Sequence, residues 1–164
     1  LDMITKRFSQ IGTSPELIQA NIIPIIQDAM NYLSSRSSKK ITYNINLPTN
    51  EEIKLPINQC LLEWVLENLS KNAIDAMSGI GTLSLELTQD NKRVIIDISD
   101  TGRGMPKKQF KKIFEAGYTT KERGWGMGLS LAKRIIEEYH HGKIFVKQSV
   151  IGKGTTFRII LKKV

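Results

Sequence analysis

"ENLSKNAIDAM", Glu67 to Met77, decides how this chain is read. Upstream and within it, Leu62, Val65, Leu66, Leu69, Ala73, Ala76 and Met77 recur at roughly 100° per residue, which predicts a core-facing helix over about Asn58 to Met77. Asn68, Asn72 and Asp75, spaced by four and then three residues, line one shoulder of that apolar stripe. Glu67 does not join them, because five residues from Asn72 is about 140° around a helix. Polar residues bordering a core give the same pattern. Partly buried amides nevertheless need hydrogen-bonding partners, and a hard cation with phosphate oxygens would supply one.

Working outward, "DTGRGM" (Asp100 to Met105) follows a stretch of apolar and polar alternation. Gly102 and Gly104 allow a sharp turn and close approach of a ligand, and Asp100 can accept hydrogen bonds from an exocyclic amine. An ordinary strand-to-helix turn uses the same residue types. Further on, "GWGMGLSLAKRII" sets Gly124, Gly126 and Gly128 before a helical pattern, where backbone N–H groups suit an anion. No "GK[ST]" follows, so this is not a Walker loop.

The remaining segments fix the fold class. "LDMITKRFSQI" has the apolar period of a helix end, and "PIIQDAMNYLSSR" (Pro24 to Arg36) predicts a helix with proline in its first position. "KITYNINL" reads as a strand and "IKLP" as a short extended piece. "GTLSLELTQ" with "RVIIDISD", and "KIFVKQSV" with "TTFRIILKK", predict two hairpins, separated by the helix "LSLAKRIIEEYH" with Gly142 as its stop signal. Helices and strands in this order predict an α+β sandwich.

At 164 residues, with 40% apolar and 24% charged residues, the chain suits one well-buried domain. It has neither an apolar run of bilayer length nor a signal-peptide layout. Cys60, its single cysteine, excludes an internal disulfide and is expected to be a small buried hydrophobe, which fits a reducing, cytoplasmic setting. The formal charge of +8 invites a nucleic-acid reading, but the lysines are scattered and aromatics make up only 7%. A nucleoside triphosphate or an acidic protein suits such a charge equally well.

Taken in order, "NLSKNAIDAM", "DTGRGM", "FEAGYTTK" and "GMGLSLAKRIIEEYHHGKI" resemble the N, G1, F and G2 boxes of the ATP-binding domain of sensor histidine kinases. The likeness covers about 150 of the 164 residues, from Pro15 onward, and includes the closing "GKGTTFRIIL". It implies a Bergerat-type fold, a mixed and mostly antiparallel sheet covered on one face by about three helices. It also implies that residues 1–14 are the end of a dimerisation and phosphoacceptor hairpin, and that residues 15–164 are the catalytic domain.

The family's roles pass to matching residues as expectations. Asn72 would hold Mg²⁺ and Asn68 support the phosphates of ATP, with Asp75 beside them; Asp100 would read adenine, and Gly102 and Gly104 shape its pocket. Tyr118, Thr119, Thr120 and Lys121 would belong to the nucleotide lid, Gly124, Gly126, Gly128 and Leu129 to its end, and Thr155 would reach adenine through water. From Lys107 to Arg123, six basic residues face two acidic ones, as a phosphate-facing lid requires. Two departures stand out: Phe114 is followed by "EAGY" where relatives often have proline, and Asp75 replaces a common basic residue, which argues against a direct phosphate contact there.

Gyrase-like ATPases of the same superfamily keep a water-activating glutamate where this chain has Asn68, an amide that is no base near neutral pH. The resemblance therefore implies transfer of the γ-phosphate to a histidine, with a nucleotide-binding pseudokinase or a gyrase-like ATPase as alternatives. His140 and His141 fall in a structural turn, so the acceptor is expected on an upstream hairpin outside this chain. The implied partners are that hairpin and a response-regulator receiver domain. No nucleic acid and no direct membrane contact are expected, and the fragment would be monomeric within a homodimeric parent.

Overall fold

The computed structural model describes residues 15–118 and 128–164. Strand β1 (Ile18–Asn21) leads into helix α1 (Ile22–Arg36), then come β2 (Ile41–Asn46) and β3 (Lys54–Ile57). Helix α2 (Gln59–Ala76) follows, then β4 (Gly81–Gln89) and β5 (Arg93–Ser99). Two 3-10 turns, Lys107–Gln109 and Lys112–Phe114, interrupt the next loop. Helix α3 (Gly128–Arg134) runs into a π-helical turn, Ile135–Tyr139, before β6 (Lys143–Val150) and β7 (Gly154–Lys162).

The main sheet has the order β2-β4-β5-β7-β6, parallel only between β2 and β4, so it is mixed and mostly antiparallel as expected. Period-two patterning puts Leu83, Leu85 and Leu87, then Val94, Ile96 and Ile98, then Phe157, Ile159 and Leu161 on one face. Helix α2 lies against β4, β5 and β7 on that face, flanked by α1 and α3. A separate two-stranded sheet of β1 and β3 was not legible in the sequence. It is locked by Asn21, whose Oδ1 accepts N–H bonds from Ile23 and Ile53.

Three expectations are corrected. Helix α1 starts two residues before Pro24, because Asn21 caps it; proline still fits, since the first-turn N–H groups have no helical partner in any case. Cys60 is exposed, because it sits in the first turn of α2 on the side turned away from Leu61 and Leu62. Gly142 is not the left-handed stop of α3: His141 takes the positive φ, 56°. Gly142 is required for space, since a Cβ there would strike the Ile160 carbonyl oxygen.

On the sheet face away from the helices, Asp97 and its cross-strand partner Arg158 form a forked pair, Nε to Oδ1 and Nη2 to Oδ2, both 2.8 Å. Lys147 Nζ stands 3.5 Å from Oδ2. The Arg158 hydrogen bonds hold the Asp97 carboxyl below its ordinary range. Replacing Asp97 by Asn is expected to cost about 1 kcal/mol at pH 7, measured by urea unfolding. With the folded pKa depressed, that contribution is present above the unfolded value near 4 and is lost as pH falls through the folded one. An unchanged stability difference between pH 7 and pH 2.5 would sink the assignment.

Candidate nucleotide site

The site is built where the end of β5 passes between the end of α2 and the β6–β7 hairpin. Asp100 is 8% exposed, and its Oδ1 accepts the Gly102 N–H at 2.8 Å and the Thr155 N–H at 3.3 Å. Those bonds fix the carboxylate and occupy one oxygen, which leaves Oδ2 for a ligand donor. Burial pushes the Asp100 carboxyl above its ordinary range, opposed by the two backbone N–H bonds.

The glycines of "DTGRGM" act through contact. A Cβ on Gly102 would lie 2.5 Å from the Ala76 carbonyl oxygen, and Arg103 N–H donates to that same oxygen at 3.0 Å. Gly104, at φ 68°, presses on the Val150 carbonyl, and Gly152 N–H closes the arrangement on the Arg103 carbonyl at 2.7 Å. The loop is thus stitched to the end of α2 on one side and to the last hairpin on the other.

Ser149 was missed by the motif reading, because a lone serine in a strand carries no spacing signal. Its Oγ accepts the Met105 N–H at 2.8 Å, donates to the Gly154 carbonyl at 3.2 Å, and stands 2.7 Å from Thr155 Oγ1. With the serine proton given to Gly154, the threonine hydroxyl is the donor in the last pair. Thr155 is 5% exposed, and its remaining capacity there is as an acceptor.

Along α2, Asn68 is half-buried and Asp75 is exposed. Asn72, one turn from Asn68, and Glu67 are half-buried. Asn68 Nδ2 is buried with no hydrogen-bond partner among the described residues. Gly128, at the start of α3, sits directly on that amide, where a Cβ would be 2.7 Å from Oδ1. Leu129 packs on the core, as do Phe110 and Tyr118, and Phe114 meets Phe157 edge to face at 6.1 Å. Thr119, Thr120, Lys121, Gly124 and Gly126 lie outside the described residues, as does the segment 1–14.

A groove of about 870 Å³ among Lys92, Arg93, Lys143, Ile160 and Lys162 lies at the opposite end of these strands, and neither Asn68, Asp100, Gly128 nor Thr155 lines it. Among the described residues no cluster of three His, Cys, Asp or Glu side chains is built to hold a metal. No helix among them is long and apolar enough to cross a membrane.

The family model described as "Histidine kinase-, DNA gyrase B-, and HSP90-like ATPase" matches residues 58–164, which begin at the cap of α2 and include Asn68, Asp100, Gly128 and Thr155. The chain belongs to this ATPase family. Among the relatives of this ATPase domain, the sensor histidine kinase ZraS of Salmonella typhimurium is 38% identical over 143 residues, 86% of this chain and 30% of that protein. Sporulation kinase E of Bacillus subtilis is 34% identical over 147 residues, 87% of this chain and 19% of that protein. The chain therefore spans less than a third of the length of these relatives. The nucleotide-free catalytic domain of histidine kinase ThkA superposes with a TM-score of 0.80 at 26% identity, covering 90% of this chain and 98% of that one. Family and relatives together make this a histidine-kinase ATPase domain, and such a domain binds ATP.

Proposed function

We propose that this domain binds ATP with Mg²⁺ and presents the γ-phosphate to a histidine on an upstream helical hairpin of a homodimeric, cytoplasmic kinase assembly, from which it passes to a response-regulator receiver domain. The observation that carries the reading is Asn68: a buried amide donor with no partner among the described residues, one helical turn from a second asparagine. An N–H donor so placed suits a phosphate oxygen, because leaving it unmade costs about 1–3 kcal/mol.

The residues present also suit the metal. Asn72 offers a hard amide oxygen at the edge of the core, and Mg²⁺ takes few protein ligands because it keeps waters and phosphate oxygens. When bound, the ion would neutralise charge on the phosphates. The protein's own contribution is then to orient: Asp100 receives the adenine amine, Thr155 supplies an acceptor for an ordered water, and Asn68 donates to the phosphates. Thr119, Thr120, Lys121, Gly124 and Gly126 are assigned to the lid over the phosphates on sequence grounds alone.

Hydrolysis is disfavoured because no carboxylate occupies position 68, and Glu67 projects about 140° around α2 from Asn72. Transfer needs no such base, since an imidazole is itself the nucleophile.

The test is to supply a separate histidine-bearing hairpin and γ-labelled ATP with Mg²⁺. Labelled hairpin is expected, with Asn72→Ala reducing the rate by about 100-fold or more. Tight nucleotide binding without transfer would establish the pseudokinase alternative, and steady phosphate release by the domain alone would establish the ATPase one.

A further inference from the structure

His140 is 4% exposed, and both of its ring nitrogens are occupied. Asn58 N–H points at Nε2 at 3.0 Å, and Nδ1 lies 2.8 Å from the Ile135 carbonyl oxygen. A backbone N–H can only donate and a carbonyl can only accept, so the ring is neutral, with its proton on Nδ1. Asn58 is the N-cap of α2: its Oδ1 accepts the Leu61 N–H at 3.1 Å, and its Nδ2 donates to the Glu16 carbonyl at 3.2 Å.

The π turn is what aims the ring. His140 N–H bonds the Ile135 carbonyl at 3.1 Å, five residues back, so everything after the turn is rotated by roughly 100° relative to a continuous α-helix. The result is a connection at each end of the segment from Gly128 to His140, which runs antiparallel to the first half of α2. Gly128 rests on Asn68 at one end, and His140 receives Asn58 at the other. The lengths are comparable: ten helical steps from Asn58 to Asn68 rise about 15 Å, and twelve from Gly128 to His140 about 18 Å.

We propose that His140 is a positioning residue for nucleotide binding: by holding the cap of α2, it sets the register of α3 along α2 and so the seat of Gly128 against the Asn68 amide. This rests on the ATP reading of the site. Burial lowers the His140 pKa, opposed by its hydrogen bond to the Ile135 carbonyl. The acids on the packed elements are engaged elsewhere. Glu137 accepts the Ile144 N–H and lies 4.0 Å from Lys133, Glu138 holds Arg134, and Glu63 accepts from Gln59.

Two variants separate the ring's bonds. Asn at this position can imitate Nδ1 and keep Ile135, whereas Gln can reach as far as Nε2 and keep Asn58. Calorimetric titration with a non-hydrolysable ATP analogue should show His140→Asn weakened about tenfold and His140→Gln within about threefold of the wild type. As pH falls below the ordinary imidazole range and through the lowered His140 value, the wild type should lose affinity relative to His140→Gln, since a protonated ring cannot accept the Asn58 N–H. A folded His140→Asn with wild-type affinity overturns the proposal. So do parallel pH profiles of wild type and His140→Gln, a comparison that decides the matter if the Asn variant fails to fold. Absence of any binding by the wild type would count against the ATP site itself, whereas variants that bind like the wild type count only against His140.

Discussion

Asp100→Asn is expected to weaken binding of an ATP analogue by about 100-fold without lowering the melting temperature at pH 7. Asp100 Oδ1 already serves the Gly102 and Thr155 N–H groups, so a ligand amine meets Oδ2. An asparagine keeps the shape, and its own oxygen can keep both backbone bonds. It then turns an NH₂ toward the ligand's NH₂, donor against donor, in a site too buried for water to relieve the mismatch.

The same carboxyl predicts a pH dependence. Its pKa is raised by burial, so protonation on acidification sets in above the ordinary carboxylate range, and affinity falls as pH drops through that raised value. Stability moves the other way. With the folded pKa above the unfolded one, the group's favourable contribution is complete below the unfolded value near 4 and is lost as pH rises through the folded one. Titration calorimetry of wild type and Asp100→Asn across this range tests the first statement, and urea unfolding of both proteins across the same range tests the second. An Asn variant that binds within threefold of wild type would remove Asp100 from adenine recognition.

Gly154→Ala should be the most damaging single substitution in the last hairpin, costing about 3 kcal/mol or more in urea unfolding. Gly154 has φ 117°, and a Cβ there would run into the Asp100 carbonyl oxygen and lie 2.8 Å from the Asp100 carbonyl carbon. Neither obstacle is a flexible side chain, so the hairpin or the Asp100 strand end must move, and with it the Thr155 N–H that fixes the carboxylate. Gly79 is the control. It also has a positive φ, 81°, but nothing lies within 4 Å of its Cβ position, so Gly79→Ala should cost only about 1 kcal/mol. Equal losses at the two positions would falsify the steric account and leave backbone strain alone.

Much of this architecture was legible because it is periodic. The apolar stripe of α2, the alternation in β4, β5 and β7, and the turn residues between them are local signals, and the helices and hairpins follow from them. The order of the motifs then made the family readable. What periodicity could not supply was the small sheet of β1 and β3, whose four-residue strands are too short to show a period, and the outward turn of Cys60 in the first helical turn.

The sequence by itself determined which residue types stand at the site: an amide where a hydrolase keeps a carboxylate, an aspartate at the end of a strand, glycines where the chain must turn. Only the tertiary structure decided how they are held. Thr155, 55 residues away in sequence, holds Asp100; Gly128 is seated on Asn68; Asn58 and Ile135 together choose the tautomer of a histidine that the sequence assigned to a plain turn. Contacts of that kind depend on which distant atoms meet at van der Waals range, and no local pattern along the chain records that distance.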